Sequence, residues 1–224
     1  MTVSIDALEV TVTAPVASFR NPLYAGVQVT LPCPSPATVG GMLAAVAGGW
    51  SHLNPRLSFA MAFTSQARGV DVETYHPLDA AGASTDPTPR DREFLARITL
   101  TIWLFDDLDL WQRRFRRPVW PMRLGRSQDL AAAATRPVSL EPAPGRQGSA
   151  LLPWQPGIGL PGLRLQLPSA ISLDRARTRW DSYLYLAAGG DHLVSHLPDP
   201  LRDQTGQAVV PLGPVHPDTA GQAR

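Results

Sequence analysis

The sequence contains no lysine; all 20 of its basic residues are arginine. This excludes a nucleotide-binding P-loop, whose lysine reaches the phosphates, and also Schiff-base chemistry and Ser-Lys dyads. A single cysteine, Cys33, permits neither an internal disulfide nor a cysteine-based zinc site. No apolar run approaches the roughly 18–20 residues of a membrane span, and the best candidate, 42–50, is broken by glycine. The start, Met1-Thr2-Val3-Ser4-Ile5-Asp6, lacks the basic region and apolar stretch of a secretory signal. A cytoplasmic protein without a membrane partner is therefore expected. Charge is sparse too. Only 17% of the 224 residues are charged and the net charge is +1, so any anion attraction must come from local clustering.

Proline, by contrast, is plentiful. Its 23 residues are about twice the usual share of ~5%, which favours loops and strand borders over long helices. With 44% apolar residues the chain can bury a core, and its length suits one domain.

Alternation of Leu8, Val10 and Val12 with Glu9, Thr11 and Thr13 predicts a strand over about 5–14, ended by Pro15. A loop carrying Phe19-Arg20-Asn21-Pro22 and a β-like patch at 26–31 follows. Ser35-Pro36 reads as an N-cap and first helical residue of a helix over about 36–48, closed by Gly48-Gly49. Leu57, Phe59, Met61 and Phe63 predict a strand over 56–67. Residues 69–91 read as a long polar loop, and at this length a functional or mobile one. Ile98, Leu100, Ile102 and Leu104 then share one face of a strand over 95–105, with Thr99, Thr101 and Trp103 on the other. Asp106-Asp107 open a short helix that Pro118 stops, and 122–126 reads as a short strand. Later strands are expected near 163–167 and 183–187, with a frayed tail over 214–224.

The order β-α-β-β-α-β predicts an α+β chain with a ferredoxin-like, RRM-like domain over 1–134. A proline- and glycine-rich, short-stranded β extension over 135–213 completes it. The order alone says little about function.

Three constellations could carry chemistry. Arg113, Arg114, Arg116, Arg117, Arg123 and Arg126 place six of the 20 basic residues within 14 positions. They read either as a phosphate-binding stripe or as a solvated helix end with an Asp109–Arg113 pair. The stretch 18–41 offers a helix N-terminus as an anion site, with Phe19 to stack on a base and Arg20 for phosphate. The alternative is an ordinary capped helix with Phe19 in the core. His192 and His196 have helical spacing, but no glutamate lies between them, and glycines and Pro198 flank them. No metal site and no cofactor are expected. Asp106, Asp107 and Asp109 are explained by helix capping, and no nucleophile elbow occurs.

Two blocks carry a family resemblance. One is Ala17-Ser18-Phe19-Arg20, Gln28, Thr30-Leu31-Pro32 and Pro34-Ser35-Pro36-Ala37-Thr38-Val39-Gly40-Gly41-Met42-Leu43. The other is Leu124-Gly125-Arg126-Ser127-Gln128-Asp129-Leu130. Together, across about residues 5–130, they resemble the CRISPR-associated "Cas-five" family of the RAMP superfamily. Ala37 stands where the family often has serine or threonine, and Gly40 where a larger residue is common. The resemblance implies a non-catalytic subunit of a type I Cascade complex in antiviral defence, gripping the repeat-derived 5′ tag of the crRNA and capping the backbone filament. It implies as partners that tag, the backbone subunit, the large subunit and, indirectly, target DNA. It implies a hairpin-like thumb, for which 69–91 is the candidate. It also implies RNA contacts at Ser18, Phe19, Arg20, Gln28, Thr38, Gly41, Arg126 and Ser127, to which charge adds Arg123.

One branch of the family cuts CRISPR repeat RNA without metal, through a tyrosine, a lysine and a histidine. A lysine-free chain cannot supply that set, and arginine is too weak an acid to replace lysine. His76 beside Tyr75 is the remaining acid–base candidate. A third reading is a protein-interaction module whose arginines meet an acidic partner.

Overall fold

The computed structural model describes residues 4–21, 23–24, 28–76, 82 and 86–221. Four long elements of sheet, Ile5–Ala17 (β1), Phe59–Tyr75 (β2), Thr88–Leu104 (β3) and Ala132–Pro142 (β4), are interleaved with two helices, Pro36–Ala47 (α1) and Leu108–Arg116 (α2). Short strands follow: Gly145–Arg146 (β5), Leu152–Pro153 (β6), Leu163–Ile171 (β7), Thr178–Tyr185 (β8), Leu193–Val194 (β9), Leu201–Arg202 (β10) and Ala208–Val209 (β11). The main sheet runs β11-β10-β4-β1-β3-β2, antiparallel throughout. β7 and β8 form a separate hairpin with β6, and β5 pairs β9.

The alternation in the sequence translates directly into faces. Leu8, Val10 and Val12 of β1, Phe59, Met61 and Phe63 of β2, and Ile98, Leu100, Ile102 and Leu104 of β3 lie in one core beneath α1 and α2. From the helices that core takes Val39, Met42, Leu43, Val46, Trp111 and Phe115. On the opposite face, Trp103 packs with Ala7, Ala60, Ala62, Val138 and Leu140. Beyond that patch the face is threonine-rich, with Thr11 opposite Thr101 and Thr13 opposite Thr99.

α1 forms where the cap signals place it. Ser35 is extended and its side-chain oxygen accepts the Thr38 N–H, Pro36 occupies the first turn, and Gly48 closes the helix at φ 95°. α2 is capped differently from expectation. Asp107 stands at its N-cap with φ 48° and makes no side-chain cap bond, so the acidic pair does not act as a capping pair. Among the described residues no ion pair joins Asp109 to Arg113; Arg114 instead lies over the Trp111 ring and donates to the His52 carbonyl.

Four boundaries differ from the sequence reading. β1 continues through Pro15 to Ala17; the ladder skips Pro15, which has no N–H to give, and its opposite residue Arg97 turns to φ 49°. The expected loop 69–91 is largely strand. β2 and β3 pair in unbroken register out to Tyr75 opposite Thr88, and only the tip lies outside the described residues. The fourth long strand is Ala132–Pro142 rather than 122–126, which makes just an isolated bridge between Arg123 and Leu130. Finally, the expected frayed tail is docked through 220, with Val215, His216, Thr219 and Ala220 buried, while 222–224 lie outside the described residues. His216 meets the Trp50 carbonyl at 3.1 Å, and Arg179 reaches the Pro214 carbonyl.

Candidate nucleic-acid interface

The two sequence blocks that carry the resemblance meet in space. The segment 122–130 folds against the end of β1 through Asp129, whose buried carboxylate accepts the backbone N–H of Ser18 (3.2 Å) and of Arg126 (3.0 Å). The same carboxylate takes the Arg126 guanidinium, through Nε at 3.1 Å and Nη2 at 3.0 Å. Gly125 sits at φ 108°, and a side chain there would stand 2.8 Å from the Ser18 carbonyl. Only glycine allows this approach.

A chain of ion pairs then runs from this loop to the projecting β2–β3 hairpin. Arg126 lies 4.0 Å from Glu73, Glu73 pairs with Arg92, and Arg68 with Glu93. The segment around Gln28 extends the hairpin root, with the Glu93 N–H donating to the Gln28 carbonyl (3.0 Å) and Thr30 N–H to the Glu93 carboxylate (3.0 Å). The Ser18 hydroxyl donates to the Glu93 carbonyl at 2.7 Å. The Arg68 guanidinium bonded to Glu93 holds its carboxyl below the usual carboxylate range, with help from Thr30 N–H and against partial desolvation.

This geometry sorts the sequence-predicted residues. Arg20, Arg123 and Ser127 are exposed, and Thr38 and Gly41 border an open groove. Phe19 is a correction. It is 3% exposed and packs edge-on to Phe63 at 5.7 Å, so the core claims its ring and no base can stack on it here. Ser18 and Gln28 are also buried. The Ser18 donors are committed internally, whereas Gln28 Oε1 is buried without a hydrogen-bond partner. The Arg126 side chain is 12% exposed and held by Asp129, which makes it a positioning residue for the loop. The α1 N-terminus is no open anion site either: Ser35 and Pro36 are buried and Ser35 already accepts the Thr38 N–H.

What remains open is the side of α1. A groove of about 450 Å³ runs between Thr38, Gly41, Met42 and Ala45 on the helix and Trp120, Pro121, Arg123 and Gly125 on the facing segment. Trp120, 60% exposed, is the residue that sequence reasoning missed. Its signal was present, an aromatic between Pro118 and Pro121 beside the arginine cluster. Among the described residues no group of three or more His, Cys, Asp or Glu side chains is placed to hold a metal ion, and no helix is long and apolar enough to cross a membrane.

Comparison with known proteins agrees with this architecture. The family model described as "CRISPR-associated protein (Cas_Cas5)" matches residues 7–191. A chain of a CRISPR RNA-guided surveillance complex aligns at TM-score 0.52 and 16% identity, over 84% of this chain and 91% of that one. A CRISPR protein from Archaeoglobus fulgidus aligns at TM-score 0.51 and 15% identity, over 94% and 100%. A chain from a type III-B Cmr-beta complex bound to cognate target RNA and AMPPnP aligns at TM-score 0.51 and 10% identity, over 81% and 84%. At such identities these structures speak to the fold. A comparison with curated proteins finds no match.

The family match over residues 7–191 defines a CRISPR-associated protein. The chain belongs to the Cas5 family.

Proposed function

We propose that this protein is a guide-RNA-binding subunit of a type I CRISPR effector complex, holding the repeat-derived 5′ tag of the crRNA. The observation that carries the reading is the convergence of the two family blocks: Asp129 ties the Leu124–Leu130 block to Ser18, beside an open groove edged by Thr38, Gly41 and Arg123. The β4-β1-β3-β2 order, antiparallel and covered by α1 and α2 on one face, supports a ferredoxin-like core of the kind RNA-recognition modules use. The projecting β2–β3 hairpin is the thumb of this reading, and neighbouring backbone and large subunits are its protein partners.

Single-stranded RNA offers unstacked bases to apolar and aromatic surfaces and phosphates to guanidinium groups. Arg20, exposed two residues beyond Ser18, and Arg123, exposed at the groove, supply the guanidinium groups. The grip involves no bond-making. The chain has no lysine, and Tyr75 and His76 are exposed where β2 ends and are not among the residues that line the groove.

The test is co-purification of the full complex followed by sequencing of the RNA ends. A guide with one defined 5′ end, and binding to tagged RNA whose salt dependence falls by about 0.7 in log–log slope in Arg123→Ala, support the reading. A salt slope and affinity untouched in both Arg20→Ala and Arg123→Ala would refute it. So would specific cutting of repeat RNA, resistant to EDTA and lost in His76→Ala.

A further inference from the structure

Trp120 is costly to leave in water, yet it is 60% exposed and fixed in place. Its backbone N–H donates to the Ala45 carbonyl at 3.2 Å, and that of Val119 donates to Val46, also at 3.2 Å. Pro118 and Pro121 restrict the backbone on either side. A large aromatic ring presented on a backbone already immobilised loses little entropy on binding.

The opposite wall carries a second, independent sign. Two consecutive glycines stand in the middle of α1, where glycine weakens a helix. Gly40 has a packing reason, since a β-carbon there would lie 2.7 Å from Val215. Gly41 has none: nothing lies within 4 Å of a β-carbon built on it. Its lack of a side chain leaves groove space, not core space. Thr38, Gly41, Met42 and Ala45 recur at helical spacing, so Thr38, whose hydroxyl lies 2.9 Å from that of Ser35, and a shallow apolar wall line the groove with Trp120. Among the described residues that line the groove, Arg123 is the only charged one and none is a carboxylate.

We propose that this groove seats one unpaired nucleobase flat against the Trp120 indole, with Arg123 beside it for the adjoining phosphate. Resting on the RNA-binding reading above, the inference adds an aromatic subsite to it. A slot with one aromatic platform, one cation, one hydroxyl and no acid suits a nucleotide. The sheet face cannot offer the same platform, because Trp103 there is 2% exposed. Stacking of this kind tolerates any base, so the subsite sets the register of the strand more than its sequence.

The experiment measures binding of the full chain to RNA carrying the repeat-derived 5′ tag, and to the same RNA with abasic sites through the tag. With intact RNA, Trp120→Ala weakens binding at least about fivefold, Trp120→Phe retains most of the affinity, and Gly41→Leu, which fills the slot, weakens it like Trp120→Ala. With abasic RNA the wild type and Trp120→Ala bind alike. Ultraviolet crosslinking of the wild-type complex recovers the peptide containing Trp120 joined to a nucleotide. If wild type binds tagged RNA but Trp120→Ala binds it equally well, the subsite is refuted and the RNA-binding reading survives. If Trp120→Ala instead releases a protein subunit without changing RNA affinity, the groove is a protein contact and the inference is overturned. If folded wild type binds no tagged RNA, both fall together.

Discussion

Replacing Asp129 tests how the interface loop is held. Its carboxylate is the common acceptor for Ser18 N–H, Arg126 N–H and the Arg126 guanidinium, and all three donors are wholly or largely buried. Asp129→Ala leaves Arg126, 12% exposed, with only the more distant Glu73 carboxylate at 4.0 Å, beside an orphaned Ser18 N–H. Breaking a buried pair in this way costs about 3–5 kcal/mol. For a chain of this size each kcal/mol moves the unfolding midpoint by roughly 2–4 °C, so a fall of about 6–20 °C is expected. Asp129→Asn keeps an acceptor oxygen and loses the charge, and should cost about half as much. Removing both partners, Asp129→Ala with Arg126→Ala, should recover part of the loss, because no stranded charge remains. Thermal unfolding of the four proteins decides the matter. A midpoint within about 2 °C of wild type for Asp129→Ala, or strictly additive losses in the double variant, would refute the staple.

Further outcomes follow from the same geometry. Gly40→Ala destabilises, because its new methyl would stand 2.7 Å from Val215, whereas Gly41→Ala, facing open space, gains up to about 1 kcal/mol in urea unfolding. Equal effects of the two would contradict the assignment of Gly40 to packing and Gly41 to the groove. Glu93 is ionised more readily in the fold than free, so its contribution is complete above about pH 4.3, the ordinary glutamate value, and is lost as pH falls through the lower folded value. Hydrogen exchange at Thr30 N–H, corrected for intrinsic rates, should accelerate in that acid window, and a flat profile would contradict the Glu93 bond. Replacing 74–89 with an Asn-Gly turn keeps Glu73, Arg92 and the core ladder, so the unfolding midpoint should hold while assembly with neighbouring subunits fails. Global unfolding would show that the hairpin is structural.

The legible parts of the fold are those with one buried face. Leu8, Val10 and Val12, or Ile98 to Leu104, alternate because one side meets the helices, and Ser35-Pro36 marks α1 because capping is local chemistry. The distal hairpin hid because both faces meet water: Val70 and Val72 are exposed while Asp71 and Glu73 alternate with them, and no core pattern results. β4 hid behind Ala132-Ala133-Ala134 and Pro137, residues of low strand propensity. Pro137 is accommodated because β10 joins β4 only at Glu141 and Pro142, leaving that stretch of edge open. The docked tail depends on His216 meeting Trp50 across most of the chain, which no local signal reveals.

At the site, the sequence singled out two segments that meet in space but could not say which of their atoms stay available. Ser18 and Gln28 belong to the blocks that meet, yet their burial is set by Glu93 and Arg92, residues distant in sequence, while Arg126 is held by its near neighbour Asp129. Phe19 went to the core because Phe63 lies beside it. Trp120 had a local signal in its flanking prolines, but its fixed setting beside α1 depends on the Ala45 carbonyl, distant in sequence.

The proposed grip runs one end of a guide strand along α1, past Arg123. A structure of the assembled particle with its RNA tests it most directly. The account predicts the 5′ terminus running past Thr38 and Gly41 with a base on Trp120. A terminus seated on another polypeptide, or across the threonine face of the sheet, would contradict it.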